Sequence, residues 1–247
     1  MSNPHLSIVI PAYNEEALIE ASVRRFVAYL SSTSRDWELL VVSDGSTDHT
    51  VEIVRSLAEA EPRVRLIDAP HGGKGAAVRR GMLEARGQWR FLSDADLSMP
   101  PEQVERFFDG PGGEPPFDVV IGSREAAGAQ RFDEPWLRHF IGRAFNWTVR
   151  AVAVRGIQDT QCGFKLFSGA AAASVFPRQL LDGFAFDVEI LFLARKAGFS
   201  VGEVPIDWQH YGDSKVSFAN GALAFVDILR VRLNEVMGRY RGMERVQ

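Results

Sequence analysis

Cysteine is nearly absent from this chain of 247 residues. Cys162 stands alone, which excludes an internal disulfide framework and a thiolate metal cluster and suits a reducing, cytoplasmic setting. Positive charge is not in excess either. A formal net charge of −4 argues against nucleic acid as a partner held by bulk electrostatics, so any phosphate the protein recognises is recognised locally. No apolar run approaches the roughly 18 residues of a membrane span, and the first strand starts after only a few polar residues, too soon for a signal peptide. The expectation is a cytoplasmic protein, soluble or peripheral on the membrane face. Two nucleotide signatures are missing as well. G-x-x-x-x-G-K-[ST] is absent, which disfavours ATP hydrolysis of the P-loop type, and the first strand lacks G-x-G-x-x-G, which disfavours a nicotinamide enzyme. There is no internal repeat, no low-complexity tract and no composition shift that argues for two cores, so one α/β domain over 1–247 is expected.

What is present alternates. Leu6 to Pro11 reads as a buried strand, followed by Ile19, Val23, Phe26 and Leu30 at helical spacing. The strand Trp37 to Val42 leads into Asp44-Gly45-Ser46-Thr47-Asp48, where Ser46 or Thr47 is expected to cap a helix carrying Val51, Val54 and Leu57. A strand at Val64 to Asp68, a helix at Ala76 to Ala85 and a strand at Trp89 to Leu92 complete the first half. Beyond the turn-rich stretch Gly110 to Pro116 come a strand at Asp118 to Gly122 and a mobile loop at Glu125 to Asp133. Helices follow at Trp136 to Val154 and Phe186 to Ala197, then a strand at Val201 to Trp208 and a terminal amphipathic helix with Phe225, Leu229, Leu233 and Val236. Strands alternating with helices imply a doubly wound, mostly parallel twisted sheet, whose ligands collect at the carboxyl ends of the strands. The polar clusters at 11–16, 43–48, 71–75 and 93–98 all fall there.

The most informative cluster is Ser93-Asp94-Ala95-Asp96-Leu97. On an extended backbone Asp94 and Asp96 leave from one face, although a turn after the strand would redirect either one, and two hard oxygen ligands suit Mg2+ or Mn2+ completed by phosphate oxygens. Tyr13, after Pro11, offers an aromatic face to a nucleobase or simply packs. Asp44 is able to accept a hydrogen bond from a base or ribose. Glu15 reads as a ligand contact, or with Glu16 as a first-turn acid favoured by the helix dipole. His71-Gly72-Gly73-Lys74-Gly75, glycine-rich and before a helix, invites a phosphate-binding reading. Cys162 reads as a small apolar residue before it reads as a nucleophile.

Taken together, Ile8 to Glu16, Ser43-Asp44-Gly45-Ser46, Gly73-Lys74-Gly75 and Asp94-Ala95-Asp96 resemble the family 2 glycosyltransferases of GT-A fold. The resemblance covers about residues 6–215. It departs at Ser43, where many members carry a second aspartate. It implies a nucleotide-sugar donor, a divalent cation and inversion at the anomeric carbon. Pro11, Ala12, Tyr13, Glu15, Asp44, Lys74, Asp94 and Ala95 are then the expected nucleotide-sugar contacts and Asp96 with Asp94 the metal ligands. Arg79 adds charge beside the nucleotide, or is only solvated. In the second half Gly122-Ser123-Arg124, Asp159-Thr160-Gln161-Cys162-Gly163-Phe164-Lys165, Phe186-Asp187-Val188-Glu189 and Gly212-Asp213-Ser214-Lys215 look like the branch that transfers sugar to polyprenyl or dolichyl phosphate. The Asp-Thr-Gln-Cys-Gly-Phe-Lys stretch is similar to dolichyl-phosphate glucosyltransferases; mannosyl members usually show Ser-Gly-Phe-Arg. That favours UDP-glucose over GDP-mannose as donor.

The resemblance divides the chain into a nucleotide-binding half (1–109), an acceptor-binding half (117–215) and the C-terminal amphipathic helix (216–247). Arg124 and Lys215 are the expected phosphate-holding residues, Arg by a bidentate fork and Lys as a point charge. Asp187 aligns with the base of members that use hydroxyl acceptors, and is otherwise a first-turn acid. Rival readings are a GDP-mannose enzyme, a soluble hydroxyl acceptor with Asp187 as base, and a non-catalytic nucleotide-sugar binder. The C-terminal helix, apolar on one side and rich in arginine, suits a membrane surface, its own domain or a second copy of the chain as a homo-oligomer.

Overall fold

The computed structural model describes residues 3–132, 156–209 and 229–242. Its first half alternates strictly: β1 (Leu6–Ala12), α1 (Ile19–Ser32), β2 (Trp37–Asp44), α2 (Thr50–Ala60), β3 (Val64–Ala69), α3 (Lys74–Glu84) and β4 (Trp89–Leu92). The second half adds β5 (Val119–Ser123), β6 (Gln130–Phe132), β7 (Lys165–Ser168), α4 (Gly169–Val175), α5 (Phe186–Lys196), β8 (Val201–Pro205) and β9 (Asp207–Gln209). Seven strands of the described residues form one sheet in the order β3-β2-β1-β4-β7-β5-β8, and β6 pairs with β9 in a small second sheet. All neighbours in the large sheet are parallel except β7, which runs antiparallel to both β4 and β5. This is the mostly parallel α/β sheet the alternation predicts.

The order follows from burial. Every residue of β2 is buried, as expected of a strand covered by helices on both faces. In α1 the positions Ile19, Val23, Phe26 and Leu30 are all buried, so the helical period lays one continuous stripe on the sheet, each side chain contributing about 1.5–3 kcal/mol relative to exposure. Because β1 sits between β2 and β4 in parallel, the strand ends at Ala12, Asp44 and Leu92 emerge side by side.

Several local expectations fail for identifiable reasons. Neither Ser46 nor Thr47 caps α2. That helix starts at Thr50 after His49, because Ser46 and Thr47 are engaged by Asn14, while Asp48 accepts hydrogen bonds from the Thr50 amide (3.0 Å) and hydroxyl (2.6 Å). The stretch Glu125 to Asp133 is not wholly loop, since 130–132 finds a partner in β9. The strand from Val201 to Trp208 is broken at Ile206 into β8 and β9, which belong to different sheets. The 3-10 helix Pro101–Phe108, β7 and α4 were not anticipated. The helix expected at Trp136 to Val154, the segment Tyr211 to Lys215 and Phe225 lie outside the described residues.

Candidate active site

The ends of β1 and β2 are clasped together by side chains. Asn14, in the left-handed region at φ 53, donates its amide to Ser46 Oγ (3.1 Å) and accepts from the Thr47 amide at Oδ1 (2.8 Å). The Glu15 amide donates to Thr50 Oγ1 (2.9 Å), and Glu16 Oε2 accepts from the His49 amide (3.0 Å). Glu15 and Glu16 therefore precede α1 and bridge to the start of α2. Pro11 and Ala12 form the last rungs of β1. Tyr13 keeps 41% of its surface in solvent, so it is not packed into the core. Its ring lies 4.6 Å from that of His71, giving an aromatic shelf beside the glycine-rich loop.

That loop is braced by Asp44. The buried Asp44 carboxylate accepts from the Gly72 amide (2.8 Å) and the Gly73 amide (2.9 Å), and His71 Nδ1 lies 3.0 Å from Oδ2. Gly73 adopts φ +101, and a Cβ there would meet the Asp182 carbonyl oxygen at 2.6 Å. Only glycine fits this position.

From the loop, Lys74 at the start of α3 reaches the end of β4, where Nζ donates to Asp94 Oδ1 at 2.6 Å. Both side chains keep about a quarter of their surface in solvent, 26% and 27%, so the pair is half-buried and open to a ligand on one side. Burial lowers the pKa of the Lys74 ammonium, but the Asp94, Asp187 and Asp96 carboxylates outweigh it and hold that pKa above the ordinary lysine value. For Asp94 burial acts upward and is overcome by Lys74, Lys165 and Arg124, which keep it below the ordinary aspartate value.

The backbone after β4 turns at 95–96 instead of continuing extended, which is the alternative the sequence left open to the same-face placement. Both carboxylates nonetheless act on Lys74. Ser22 Oγ donates to the carbonyl of the buried Ala95, tying the turn to α1. Asp96 Oδ1 accepts from the Ser98 amide (2.9 Å), and Leu97 is held at φ 54, a conformation costing about 1–2 kcal/mol for a residue with a Cβ. Strain beside a candidate ligand marks a turn whose shape matters.

The second half packs against the pair of Lys74 and Asp94. A Cβ on Gly163 would stand 1.9 Å from Asp94 Oδ2, so the Asp159 to Lys165 stretch lays bare backbone against the carboxylate. Lys165, fully buried, donates to both the Cys162 carbonyl oxygen and Asp187 Oδ1. Asp187 sits in the first turn of α5, but it is buried and paired, not a solvated helix acid. Burial raises its pKa, Lys165 and Lys74 oppose, Asp94 adds to the rise, and the result lies above the ordinary aspartate value. Arg124 directs its Nε and Nη2 edge at Asp159, at 2.7 and 2.9 Å. The fork expected to grip a phosphate thus meets a fully buried carboxylate that fixes the guanidinium plane. The Cys162 thiol, pushed up to about 12 by burial and by Asp159, is un-ionised and inert as a nucleophile. Arg79 is partly exposed and binds the Gln179 carbonyl (2.9 Å) and Asp182 (3.1 Å). Lys215 lies outside the described residues.

The structure therefore brings Lys74, Asp94, Asp96, Asp187 and Arg124 into one charged cluster, with Tyr13 and Asp44 on its glycine-rich flank and Glu15 in the neighbouring clasp. Sequence reasoning quoted Lys165 and Asp159 only as the two ends of a motif and gave neither a role of its own. A signal existed: Lys165 interrupts the apolar run Phe164 to Phe167, and a charge in such a run is usually buried with a partner.

Comparisons with known proteins bear on the family and the fold. Residues 7–181 match the profile of glycosyl transferase family 2. A dolichyl-phosphate beta-glucosyltransferase of Trichomonas vaginalis is 36% identical over 94% of this chain and 72% of its own length. That of Saccharomyces cerevisiae is 32% identical over 96% of this chain and 76% of its own length. Among solved structures, mannosyl-3-phosphoglycerate synthase from Rubrobacter xylanophilus aligns with a TM-score of 0.71 at 17% identity, over 96% of this chain and 76% of that one. Glucosyl-3-phosphoglycerate synthase from Mycobacterium tuberculosis, in complex with Mn2+, UDP and glucosyl-3-phosphoglycerate, aligns at 0.63 and 19% identity, over 94% and 79%. These two share the fold. A strand-end cluster of this kind, on a GT-A sheet and under a matching profile over most of the chain, identifies the protein as a glycosyltransferase that belongs to glycosyl transferase family 2.

Proposed function

We propose that the protein transfers a hexose, glucose from UDP-glucose, to a polyprenyl or dolichyl phosphate with inversion. The observation that carries this reading is the charged cluster at the carboxyl ends of β4 and β5 and the amino end of the antiparallel β7, where Lys74, Asp94, Asp96, Lys165, Asp187 and Arg124 converge. The acceptor is a phosphate monoester, already nucleophilic at neutral pH, so the site needs charge and alignment more than a strong base. An acceptor oxygen forms the new bond to the anomeric carbon as the bond from that carbon to the donor diphosphate breaks, and the nucleoside diphosphate leaves with the electron pair. Tyr13 and His71 offer the shelf for the base, and Lys74 charge for the diphosphate. Lys215 holds the acceptor phosphate, Arg124, with its fork fixed by Asp159, adds positive charge beside it, and Asp187 orients acceptor or sugar.

The donor set fits a divalent cation of one particular kind. Among the described residues no group of three or more candidate ligands exists, whereas Asp94 and Asp96 supply two carboxylates. This suits Mg2+ or Mn2+, which take one or two carboxylates and complete their shell with phosphate oxygens and water. When bound, such an ion stabilises negative charge on a departing diphosphate. Replacing Gly163 by Ala pushes a methyl group into Asp94 Oδ2. Transfer is expected to fall about 10²-fold with little change in the thermal midpoint, because the Asp94 carboxylate is about a quarter exposed and lies outside the core. Equal activity in the variant would mean that Asp94 is not held by this contact.

The acceptor reading also asks for a membrane surface. None of the described helices is long and apolar enough to cross a membrane. The helical stretch 229–236 instead exposes Leu229, Leu233 and Val236, the last at 81%, with Met237 beside them. Arg230, Arg232, Arg239 and Arg241 flank this face, a pairing suited to an interface with anionic lipid. Changing Leu229, Leu233 and Val236 together to Glu leaves the buried Val231, Asn234 and Tyr240 in place. Co-sedimentation with phosphatidylserine vesicles is expected to drop at least about tenfold, since each exposed side chain contributes about 1.5–3 kcal/mol on burial; unchanged binding would remove this face from the account.

Donor identity is tested by incubating the protein with manganese, polyprenyl phosphate and separately labelled UDP-glucose and GDP-mannose, then counting label in the lipid extract. UDP-glucose is expected to label the lipid. Label from GDP-mannose alone would keep the mechanism and replace the donor.

A further inference from the structure

We propose that Gln179 and Glu189 are positioning residues for the glycine-rich loop that carries Lys74, and that Tyr240 ties the C-terminal helix into the same device. The inference rests on the reading above for what that loop binds. Lys74 stands between two glycines clamped from opposite sides. Gly73 is held by Asp44 from the first half of the chain. Gly75 is held from the second half: its amide donates to the Asp182 carbonyl (2.7 Å), and its carbonyl accepts from Gln179 Nε2 (2.8 Å).

Gln179 is a specific choice for this position. It is buried, and Nε2 also donates to the Leu181 carbonyl oxygen (2.9 Å). Both neighbours are acceptors, so the amide orientation is fixed and a carboxylate cannot replace it. Its Oε1 has no hydrogen-bond partner among the described residues, a cost that a position selected for stability alone does not need to carry.

Behind the loop stands Glu189, fully buried in α5. Its carboxylate accepts from the Leu180 amide (3.0 Å), the Leu181 amide (2.8 Å) and the Tyr240 hydroxyl (2.5 Å). All three partners are donors, which an ionised carboxylate satisfies and an amide does not. Tyr240 is itself fully buried and receives a hydrogen bond from Asn234 Nδ2 (3.1 Å). Asn234 lies on the same helical stretch whose opposite side exposes Leu229, Leu233 and Val236. A continuous chain of contacts thus runs from the C-terminal helix through Tyr240, Glu189 and the 179–182 segment to the backbone on either side of Lys74.

The test combines hydrogen exchange over 71–77, UDP affinity by calorimetry and steady-state kinetics on the full chain carrying Gln179→Ala or Tyr240→Phe. Gln179→Ala is expected to speed exchange at Gly75 to Ala77 about tenfold, leave β1 and β2 protected, and raise the UDP Kd and donor KM about tenfold with kcat within about twofold, the scale of losing one or two hydrogen bonds. Tyr240→Phe, which removes a single oxygen and keeps the test available if the first variant folds poorly, is expected to do the same about threefold. Unchanged loop exchange in both variants, or exchange that accelerates equally across the sheet with an unaltered UDP Kd, would overturn the proposal. Loosening confined to the loop in a protein whose wild type binds neither UDP nor GDP would uphold the positioning and overturn the donor reading.

Discussion

Loss of both carboxylates through Asp94→Ala and Asp96→Ala is expected to lower kcat/KM by at least about 10³-fold while the protein stays folded. The size follows from what is removed: charge stabilisation by a metal-ligating pair is worth several kcal/mol, and about 1.4 kcal/mol corresponds to each factor of ten. The fold survives because neither group is in the core. Asp94 is about a quarter exposed, and the Lys74 it leaves behind still faces Asp187. Lipid-label transfer and a circular-dichroism melt, run on the same preparation, separate the two effects. Wild-type transfer by the double variant would show that the cation assignment is wrong.

Lys165→Met carries the largest expected effect on stability. Lys165 is fully buried and donates to Asp187 and to the Cys162 carbonyl, so its removal strands a buried carboxylate. Breaking a buried pair from one side costs about 3–5 kcal/mol, and at about 2–4 °C per kcal/mol for a chain of this size the thermal midpoint should fall by about 10 °C. The sign of the pH dependence is fixed. Burial already places Asp187 above the ordinary aspartate value, with Lys165 opposing the rise. Without Lys165 the Asp187 pKa in the folded variant rises further above its unfolded value, so the deficit shrinks as pH falls and grows as pH rises. Adding Asp187→Leu should restore much of the lost stability, since a buried pair is replaceable by apolar groups, without restoring transfer. A Lys165→Met protein as stable as wild type at pH 8 would contradict the pairing.

How far the chain was legible depended on sequence distance. The elements β1 to β4 and α1 to α3 were readable because each carries its own apolar run or helical period, and such local patterns survive folding. Strand β7 was not: Lys165 breaks its apolar run, and the strand exists because β4 and β5 pair with it from either side. The same limit applied in the site. Asp94 and Asp96 announced themselves as charges at a strand end, but their counter-charges come from α3 and from β7. Arg124 was legible as a cation, whereas its partner Asp159 was visible only as part of a motif. The α2 cap failed because the polar groups that would have capped it are engaged by Asn14 across the clasp.

The most direct measurement is transfer of labelled glucose from UDP-glucose to polyprenyl phosphate, with polyprenol and free glucose as competing acceptors, in manganese and in chelator. Label is predicted to enter the phosphorylated lipid alone and only with the metal present. Label in free glucose, with Asp187 required, would put a hydroxyl acceptor in place of the phosphate. Undiminished transfer in chelator would contradict the role given to Asp94 and Asp96.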